Sequence, residues 1–297
     1  MIEQCNRVAI IGLGLIGGSV GSGLKQSGFV GEIVGYAPHH GPQALSLGLI
    51  DRFTVTAQEA VVDADLVVIA TPPSLIVETI SLLACSLKDS AVVTDVGSTK
   101  ASIVQAVSVA LNKLNHGGLI ARFVPGHPIA GSEENGPVAA NPALFCGANV
   151  ILTPIEQTLP WAIAKVQQLW SVLGARTQLM TPADHDRRYA LVSHLPHWAA
   201  FALAHALATQ ADANHLLAAS GAGLKDTTRI AGSTPQLWVD IFSQNKTAIL
   251  ASIASYQRSL DAMKHDVMVD DYAALADKLR TASEWRRDLR SSQPKTS

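Results

Sequence analysis

A glycine-rich turn near the start of the chain limits the possible folds more than any other feature. The apolar run Val8–Ile11 leads directly into GLGLIG, which starts at Gly12, and a helical pattern follows. In this context Gly12 makes the tight turn, Gly14 lets the backbone approach a pyrophosphate, and Gly17 lets the helix lie close to the strand. The helix then offers unpaired amides to phosphates. The turn predicts a dinucleotide site, with a purely structural glycine turn as the alternative.

Short apolar runs alternate with longer helical patterns up to about residue 180. Strands that are nearly continuously apolar are typical of a parallel sheet covered on both faces, and helices between them fit βαβ units. We therefore expect residues 1–180 to form an α/β, Rossmann-type dinucleotide-binding domain. The candidate strands are Val8–Ile11, Ile33–Tyr36, Leu66–Ala70, Ala91–Asp95, Phe123–Val124, Asn149–Leu152 and Arg176–Leu179, and the candidate helices include Leu75–Leu87, Ala101–Leu114 and Pro160–Leu173.

The strand pattern stops after Leu179, and a helix start follows. Thr181 provides a capping hydroxyl, Pro182 fits the first helical position, and Asp184 places an acid in the first turn. The rest of the chain is rich in Ala and Leu with helical periodicity, so we expect residues 181–297 to form an all-α domain. Its long apolar stretches, such as Ala199–Ala208, form either an internal core or a dimer interface. The interface is favoured because helices that are apolar on more than one face need a partner.

Composition excludes several classes of protein. The 297 residues are 48% hydrophobic and 15% charged with a formal net charge of −2, which argues against disorder and against binding to nucleic acid or a membrane surface. The three cysteines are too widely spaced for a disulfide framework or a metal motif. No stretch of 18 apolar residues and no secretory signal pattern is present. We expect a cytoplasmic protein with no nucleic acid or membrane partner.

Polar groups concentrate in segments that follow strands or lie in the helical half. DVGSTK follows one candidate strand, and GHPIAGSE follows another. In open α/β sheets, ligands bind beyond the carboxyl ends of the strands. The helical half contributes SHLPH and GLKDTTRIA. These segments are the candidate chemical machinery.

The individual residues in these segments each have a functional and a structural interpretation. His127 lies between Gly and Pro in an expected loop, which favours a functional role over a turn histidine. The spacing of His194 and His197 places both on one helical face, but no third ligand has zinc-like spacing, so we expect no metal. Arg229 lies in a polar turn, where it either binds an anion or pairs with Asp226.

Five motifs together resemble one enzyme family. GLGLIGGS, DVGSTK, GHPIAGSE, HDRRYALVSHLPH and GLKDTTRIA, in this order and spacing, resemble the prephenate/arogenate dehydrogenase family of tyrosine biosynthesis. The likeness covers the cofactor domain and at least the first two-thirds of the helical domain. It implies an NAD(P)-dependent homodimeric enzyme that removes hydride from a cyclohexadienol while the ring carboxylate leaves as carbon dioxide. The implied products are 4-hydroxyphenylpyruvate from prephenate or tyrosine from arogenate, and the sequence does not choose between them.

The resemblance also implies residue roles. His127 matches the general base, and Ser98 matches a serine whose hydroxyl orients the imidazole. Arg229 matches the arginine that holds a substrate carboxylate. The implied substrate-binding residues are Arg229, His197, His194 and Ser132, with Glu133 nearby in the same loop. The expected cofactor-binding residues are Gly12, Gly14, Leu15, Ile16, Gly17, Ala37, His39 and Thr71.

The expected cofactor preference follows from a missing acid. An acid about 20 residues after the glycine turn usually accepts hydrogen bonds from the ribose of NAD and repels the extra phosphate of NADP. Here Ala37 stands at that position, followed by Pro38, His39 and His40. We expect NADP to be used at least as well as NAD, with His39 or His40 donating to the phosphate. If both histidines are merely solvated, the enzyme accepts either cofactor.

Two other functions fit parts of the sequence. A β-hydroxyacid dehydrogenase would share the domain plan. Such enzymes resemble one another in a Lys-x-x-x-Asn pattern on a helix, and this pattern is absent from the helical half of the sequence. A non-catalytic sensor of cofactor redox state would have no reason to keep His127, Ser98 and Arg229 together.

Overall fold

The computed structural model describes residues 2–132 and 134–291, so Glu133 and residues 292–297 lie outside the described residues. The chain divides after Lys246 into two compact units. The expected domain boundary at residue 180 falls inside the first unit and stays a prediction. The elements are β1 (Arg7–Ile11), α1 (Leu15–Gln26), β2 (Glu32–Tyr36), α2 (Gly41–Ser46), β3 (Arg52–Phe53), α3 (Ala57–Val61), β4 (Leu66–Ile69), α4 (Ile76–Leu83), β5 (Val92–Asp95), α5 (Ala101–Lys113), β6 (Phe123–Val124), β7 (Gly126–Pro128), β8 (Asn149–Leu152), α6 (Pro160–Val172), β9 (Arg176–Leu179), α7 (Pro182–Tyr189), α8 (Leu195–Ala208), α9 (Ala213–Ala218), α10 (Ala222–Thr228), α11 (Pro235–Gln244), α12 (Lys246–Met268) and α13 (Tyr272–Ser291).

The described residues form a parallel sheet of six strands in the order β3-β2-β1-β4-β5-β6. Successive residues of a strand point to opposite faces. In β1, Val8 and Ile10 contribute to one apolar cluster, whereas Ala9 and Ile11 contribute to a second. The four residues of β4 are fully buried and alternate in the same way. The sheet is therefore covered on both faces, which confirms the prediction from the apolar runs.

A second, three-stranded sheet within the described residues has the order β7-β8-β9. Strand β7 pairs antiparallel with β8, and β8 pairs parallel with β9. The sequence predicted β8 and β9 correctly but did not predict that they leave the main sheet. It also placed His127 in a loop, and that expectation is wrong: His127 lies on β7, opposite Ile151. The segment Gly126–Pro128 follows Pro125 and itself ends in a proline, so it shows no strand pattern, and only the pairing partner makes it a strand.

The helix start after β9 is as predicted. The Thr181 hydroxyl accepts a hydrogen bond from the Asp184 backbone N–H at 3.1 Å, and Pro182 begins α7. A π-helical turn, Ala190–His194, joins α7 to α8. Because Pro196 has no N–H to donate to the preceding turn, a widened turn just before it is expected. This irregular turn carries His194 into the first unit's interior, where it is buried.

The second unit consists of most of α12 together with α13. Asp270, in the link between them, has a φ of 57°. Lys278 on α13 donates to Asp266 on α12 at 2.6 Å, which ties the two helices together. Within residues 2–132 and 134–291, no helix combines the length and apolar character needed to cross a bilayer.

Candidate active site

The glycine turn has the geometry that its sequence predicts. Gly12 has a φ of +98°, and a Cβ there would lie 2.4 Å from the Ala70 carbonyl oxygen. A Cβ on Gly17 would lie 1.9 Å from the Gly12 carbonyl oxygen. Any side chain at either position would therefore collide with backbone. A Cβ on Gly14 would meet nothing within 4 Å, so the space in front of this residue is open to a ligand.

A cavity of about 800 Å³ lies beyond the carboxyl ends of the parallel strands. The strand order reverses between β1 and β4, because the chain runs outward from β1 to β3 on one side and from β4 to β6 on the other. Open α/β sheets bind dinucleotides at such a switch point. Gly17 lies behind the cavity, where it lets α1 approach β1. The other expected cofactor residues, Gly12, Gly14, Leu15, Ile16, Ala37, His39 and Thr71, line the cavity together with His40.

A second cavity of about 480 Å³ adjoins the first. The two share Ser98, His127 and Ser132 on their walls. The second cavity, but not the first, is also lined by His194, His197 and Arg229. The structure therefore brings together all six predicted catalytic and substrate-binding residues, although they come from segments up to about 130 positions apart.

His127 is held by a series of hydrogen-bonded side chains that the sequence analysis did not predict. Its Nδ1 lies 2.8 Å from Nε2 of His185, and Nδ1 of His185 lies 2.8 Å from Oδ1 of Asp186. The Asp186 carboxylate also accepts hydrogen bonds from the backbone N–H groups of Lys100 at 2.8 Å and Ala101 at 2.9 Å, at the beginning of α5. The His-Asp pair in the quoted motif HDRRYALVSHLPH was the available signal, because both residues fall in the first turns of a predicted helix.

The expected role of Ser98 in orienting His127 stays a prediction. Ser98 lies on the wall of both cavities, but in the described part of the chain its hydroxyl makes no hydrogen bond to His127. The ring nitrogen that the hydroxyl would have oriented is already engaged by His185. His185 is 58 positions from His127, and no local pattern in the sequence links the two.

A buried ion pair fixes the strand that carries His127. Lys100 is fully buried, pairs with Asp95 and donates to the Gly126 carbonyl oxygen at 2.7 Å. Asp95 in turn accepts from the backbone N–H of Gly126 at 3.2 Å and of Gly97 at 2.8 Å. Burial lowers the pKa of Lys100, and the Asp95 charge opposes that effect. The pair thus clamps the start of β7 to the end of β5.

The electrostatic surroundings keep His127 neutral. One edge of its ring is open to the cavities, but desolvation by the surrounding protein lowers the pKa of His127 well below its usual value. Positive charge on His185, Lys100 or His194 would lower the pKa further. A neutral imidazole at physiological pH is the form that a general base requires.

The far wall of the second cavity is aromatic. The ring of His197 stacks on Trp238 with centroids 3.6 Å apart, and His197 donates from Nδ1 to the Ser193 carbonyl oxygen at 3.0 Å. His194 is buried, its Nδ1 lies 3.2 Å from Nδ2 of Asn245, and burial lowers its pKa to about 4. Among the described residues, no group of three His, Cys, Asp or Glu side chains could hold a metal ion.

Arg229 is exposed and lies on the same cavity wall. His197 lines the same cavity, and the charge of Arg229 contributes to lowering its pKa, after burial. Across residues 2–132 and 134–291, Arg229 forms no ion pair, so the alternative bridge to Asp226 is absent. A cation that faces a cavity without a protein partner is suited to bind an anionic ligand.

Two family models together match most of the chain. Residues 20–179 match the prephenate dehydrogenase nucleotide-binding domain, and residues 181–281 match the prephenate dehydrogenase dimerization domain. A cyclohexadienyl dehydrogenase from Zymomonas mobilis is 32% identical to this chain, in an alignment that covers 95% of this chain and 96% of that protein.

Solved structures give the same result. A prephenate dehydrogenase from A. aeolicus, in complex with hydroxyphenyl propionate and NAD+, superposes with a TM-score of 0.88 at 34% identity, covering 96% of this chain and 98% of that chain. An arogenate dehydrogenase from Synechocystis superposes with a TM-score of 0.78 at 29% identity, covering 95% and 99%. The chain belongs to the prephenate dehydrogenase family of NAD(P)-dependent oxidoreductases.

Proposed function

We propose that this chain oxidises and decarboxylates a cyclohexadienol, prephenate or arogenate, and transfers the hydride to NAD(P). The observation that carries the proposal is the shared wall of the two cavities. There His127 faces both the space for a nucleotide and the smaller space that Arg229 lines. A base at that junction can reach a hydroxyl group whose carbon gives up hydride to a neighbouring nicotinamide.

The nucleotide cavity fits a dinucleotide. The open space at Gly14 and the free amides at the start of α1 suit a pyrophosphate, and the first turn of α1 has no acid to repel it. When bound, NAD(P) supplies the hydride acceptor. Gly12, Gly14, Leu15 and Ile16 would hold the phosphates, and Ala37, His39 and Thr71 would contact the rest of the cofactor.

The residues of the smaller cavity divide the chemistry among them. Nε2 of His127 takes the hydroxyl proton as hydride leaves the carbinol carbon. The bond to the ring carboxylate then breaks, carbon dioxide leaves, and its electron pair completes the aromatic ring. Arg229 holds a substrate carboxylate with paired donors. Ser98, Ser132, His194 and His197 complete the walls around the substrate.

We extend the proposal to cofactor choice and assembly. Ala37 is buried at the end of β2, and the described lining of the nucleotide cavity contains no arginine or lysine. We infer that NADP is used at least as well as NAD, with His39 and His40 near the added phosphate. Residues 1–180 act as the nucleotide-binding domain, and residues 181–297 act as the helical domain of a homodimer.

Steady-state kinetics with prephenate and arogenate, each with NAD and NADP, tests the proposal. We expect reduction of the nicotinamide together with release of one carbon dioxide per hydride for at least one pair. The same protein with Arg229→Ala is the background control. Absence of nicotinamide reduction with all four pairs, in protein that still binds a dinucleotide, would contradict the proposal.

A further inference from the structure

We propose that His185 and Asp186 are positioning residues that fix which nitrogen of His127 carries a proton and that take up part of the charge when His127 acts as a base. This inference rests on the proposed function. It concerns two residues that none of the predicted roles includes, although they lie in direct hydrogen-bond contact with the proposed base.

The tautomers follow from the donors and acceptors in order. An ionised carboxylate only accepts hydrogen bonds, so the Nδ1 of His185 that faces Asp186 carries a proton. In a neutral ring the other nitrogen is then an acceptor. Nε2 of His185 must therefore receive a hydrogen bond from Nδ1–H of His127. The remaining nitrogen of His127, Nε2, keeps its lone pair and is free for the substrate proton.

Asp186 is held in a place that favours negative charge. Two backbone N–H groups at the start of the 13-residue helix α5 donate to its two carboxylate oxygens. The N-terminus of a helix carries partial positive charge and stabilises an anion. Buried Lys100 adds a full positive charge nearby. The direction of the whole hydrogen-bond chain is thus set at its Asp186 end.

The same series of hydrogen bonds from His127 through His185 to Asp186 can accept the positive charge created by the reaction. When Nε2 of His127 takes a proton, Nδ1–H can pass its proton to Nε2 of His185. One proton moves, no electrons move, and His127 returns to the neutral state while His185 becomes an imidazolium ion bound to the Asp186 carboxylate. Tyr189 stacks on His185 with centroids 4.6 Å apart and meets His127 edge-on at 5.0 Å, which keeps both rings in place.

The tautomer can be measured directly in the unsubstituted protein. In the full-length protein labelled with ¹⁵N-histidine, two-bond ¹H–¹⁵N correlations distinguish Nδ1–H from Nε2–H, and His127→Asn identifies the His127 signals. We expect Nδ1–H for His127 at neutral pH. The Nε2–H tautomer would overturn the inference. Because this readout does not depend on turnover, it stands even if His127 proves not to be the base.

Two substitutions of His185 separate orientation from simple packing. His185→Phe keeps a ring beside Tyr189 but offers no acceptor, so we expect kcat to fall by about 10²–10⁴, the cost of a catalytic histidine with the wrong tautomer. The KM for substrate should change less than threefold. His185→Gln offers an amide oxygen at the position of Nε2, so we expect it to recover at least tenfold of that loss. Equal kcat for the two variants would overturn the inference.

The pH profile of kcat/KM adds a readout that packing alone would not move. Among the described residues, the titratable groups around His127 and His185 are Asp95, Lys100, Asp186, Tyr189 and His194. In the proposal the His185–Asp186 pair takes up positive charge that His127 gains, so His185→Gln, which breaks the link to Asp186, should shift the acid limb toward lower pH. Asp184→Asn, which removes an exposed acid from the same helix, is the matched control and should leave the limb in place. An unshifted limb in His185→Gln would contradict the proposed coupling.

Discussion

At the scale of single residues, the proposed chemistry depends on a neutral His127 and on Arg229, which forms no ion pair with any of the described residues. We expect His127→Asn to lower kcat by about 10²–10⁴, the usual contribution of a positioned base. The affinity for cofactor should barely change because the phosphates are held at the glycine turn. His116→Asn, remote from both cavities, is the control. A variant that keeps more than a third of the turnover would contradict the assignment of His127.

Arg229 is the second residue whose role a substitution can test. Arg229→Lys keeps the charge but loses the planar pair of donors, so we expect KM for substrate to rise more than tenfold with a smaller change in kcat. Steady-state kinetics with saturating cofactor measures both. If Arg229→Ala leaves KM intact and only lowers the melting temperature, Arg229 has a structural role instead.

At the scale of elements, we expect the end of β2 to decide the choice between NAD and NADP. Ala37 lies on the wall of the nucleotide cavity, where an acid would accept hydrogen bonds from the ribose and repel the phosphate of NADP. We therefore expect Ala37→Asp to shift the ratio of kcat/KM values toward NAD by more than tenfold. Ala37→Asn, which adds similar bulk without charge, is the control. A clear preference for NAD in the unsubstituted enzyme would show that another residue holds the ribose.

At the scale of the whole molecule, α8 indicates a homodimer. Its 14 residues are almost all apolar, yet among its described side chains only Ala200 is buried, and Trp198 is 40% exposed. An apolar helix with so little cover needs a partner. We expect light scattering to give twice the chain mass at micromolar concentration, and Trp198→Glu to weaken the assembly. A fully active monomer would contradict this prediction.

Buried histidines also set how the stability of the whole molecule depends on pH. Burial lowers the pKa values of His127, His185 and His194, so the unfolded chain binds these protons more readily than the folded chain. Their stabilisation is complete above about pH 6.5 and is lost as the pH falls below it. For His194, with a pKa of about 4, protonation of the unfolded chain lowers the free energy of unfolding by up to about 3 kcal/mol once the pH has fallen to about 4. Thermal melts between pH 7.5 and 5 should show a falling melting temperature, and His194→Asn should reduce the slope. A melting temperature that does not change over this range would contradict the prediction.

The sequence by itself determined the features that depend on neighbouring residues. The turn at Gly12 needs a positive φ, the cap at Thr181 needs a hydroxyl beside Pro182, and the parallel strands need uninterrupted apolar runs. Each of these requirements is met within a few positions of the chain. The same local rules also singled out His127 and Arg229, because polar residues in motifs near strand or helix ends have few structural uses.

Only the tertiary structure decided what holds His127. Its strand exists because β8 pairs with it. Its ring contacts His185, which is 58 positions away, and His185 is held in turn by Asp186, whose carboxylate is bound by backbone N–H groups at the start of α5. The orienting role that the family resemblance implies for Ser98 stays a prediction. Hydrogen bonds between segments far apart in the chain depend on how the two sheets and α7 pack together. No periodicity or spacing along the sequence records that packing.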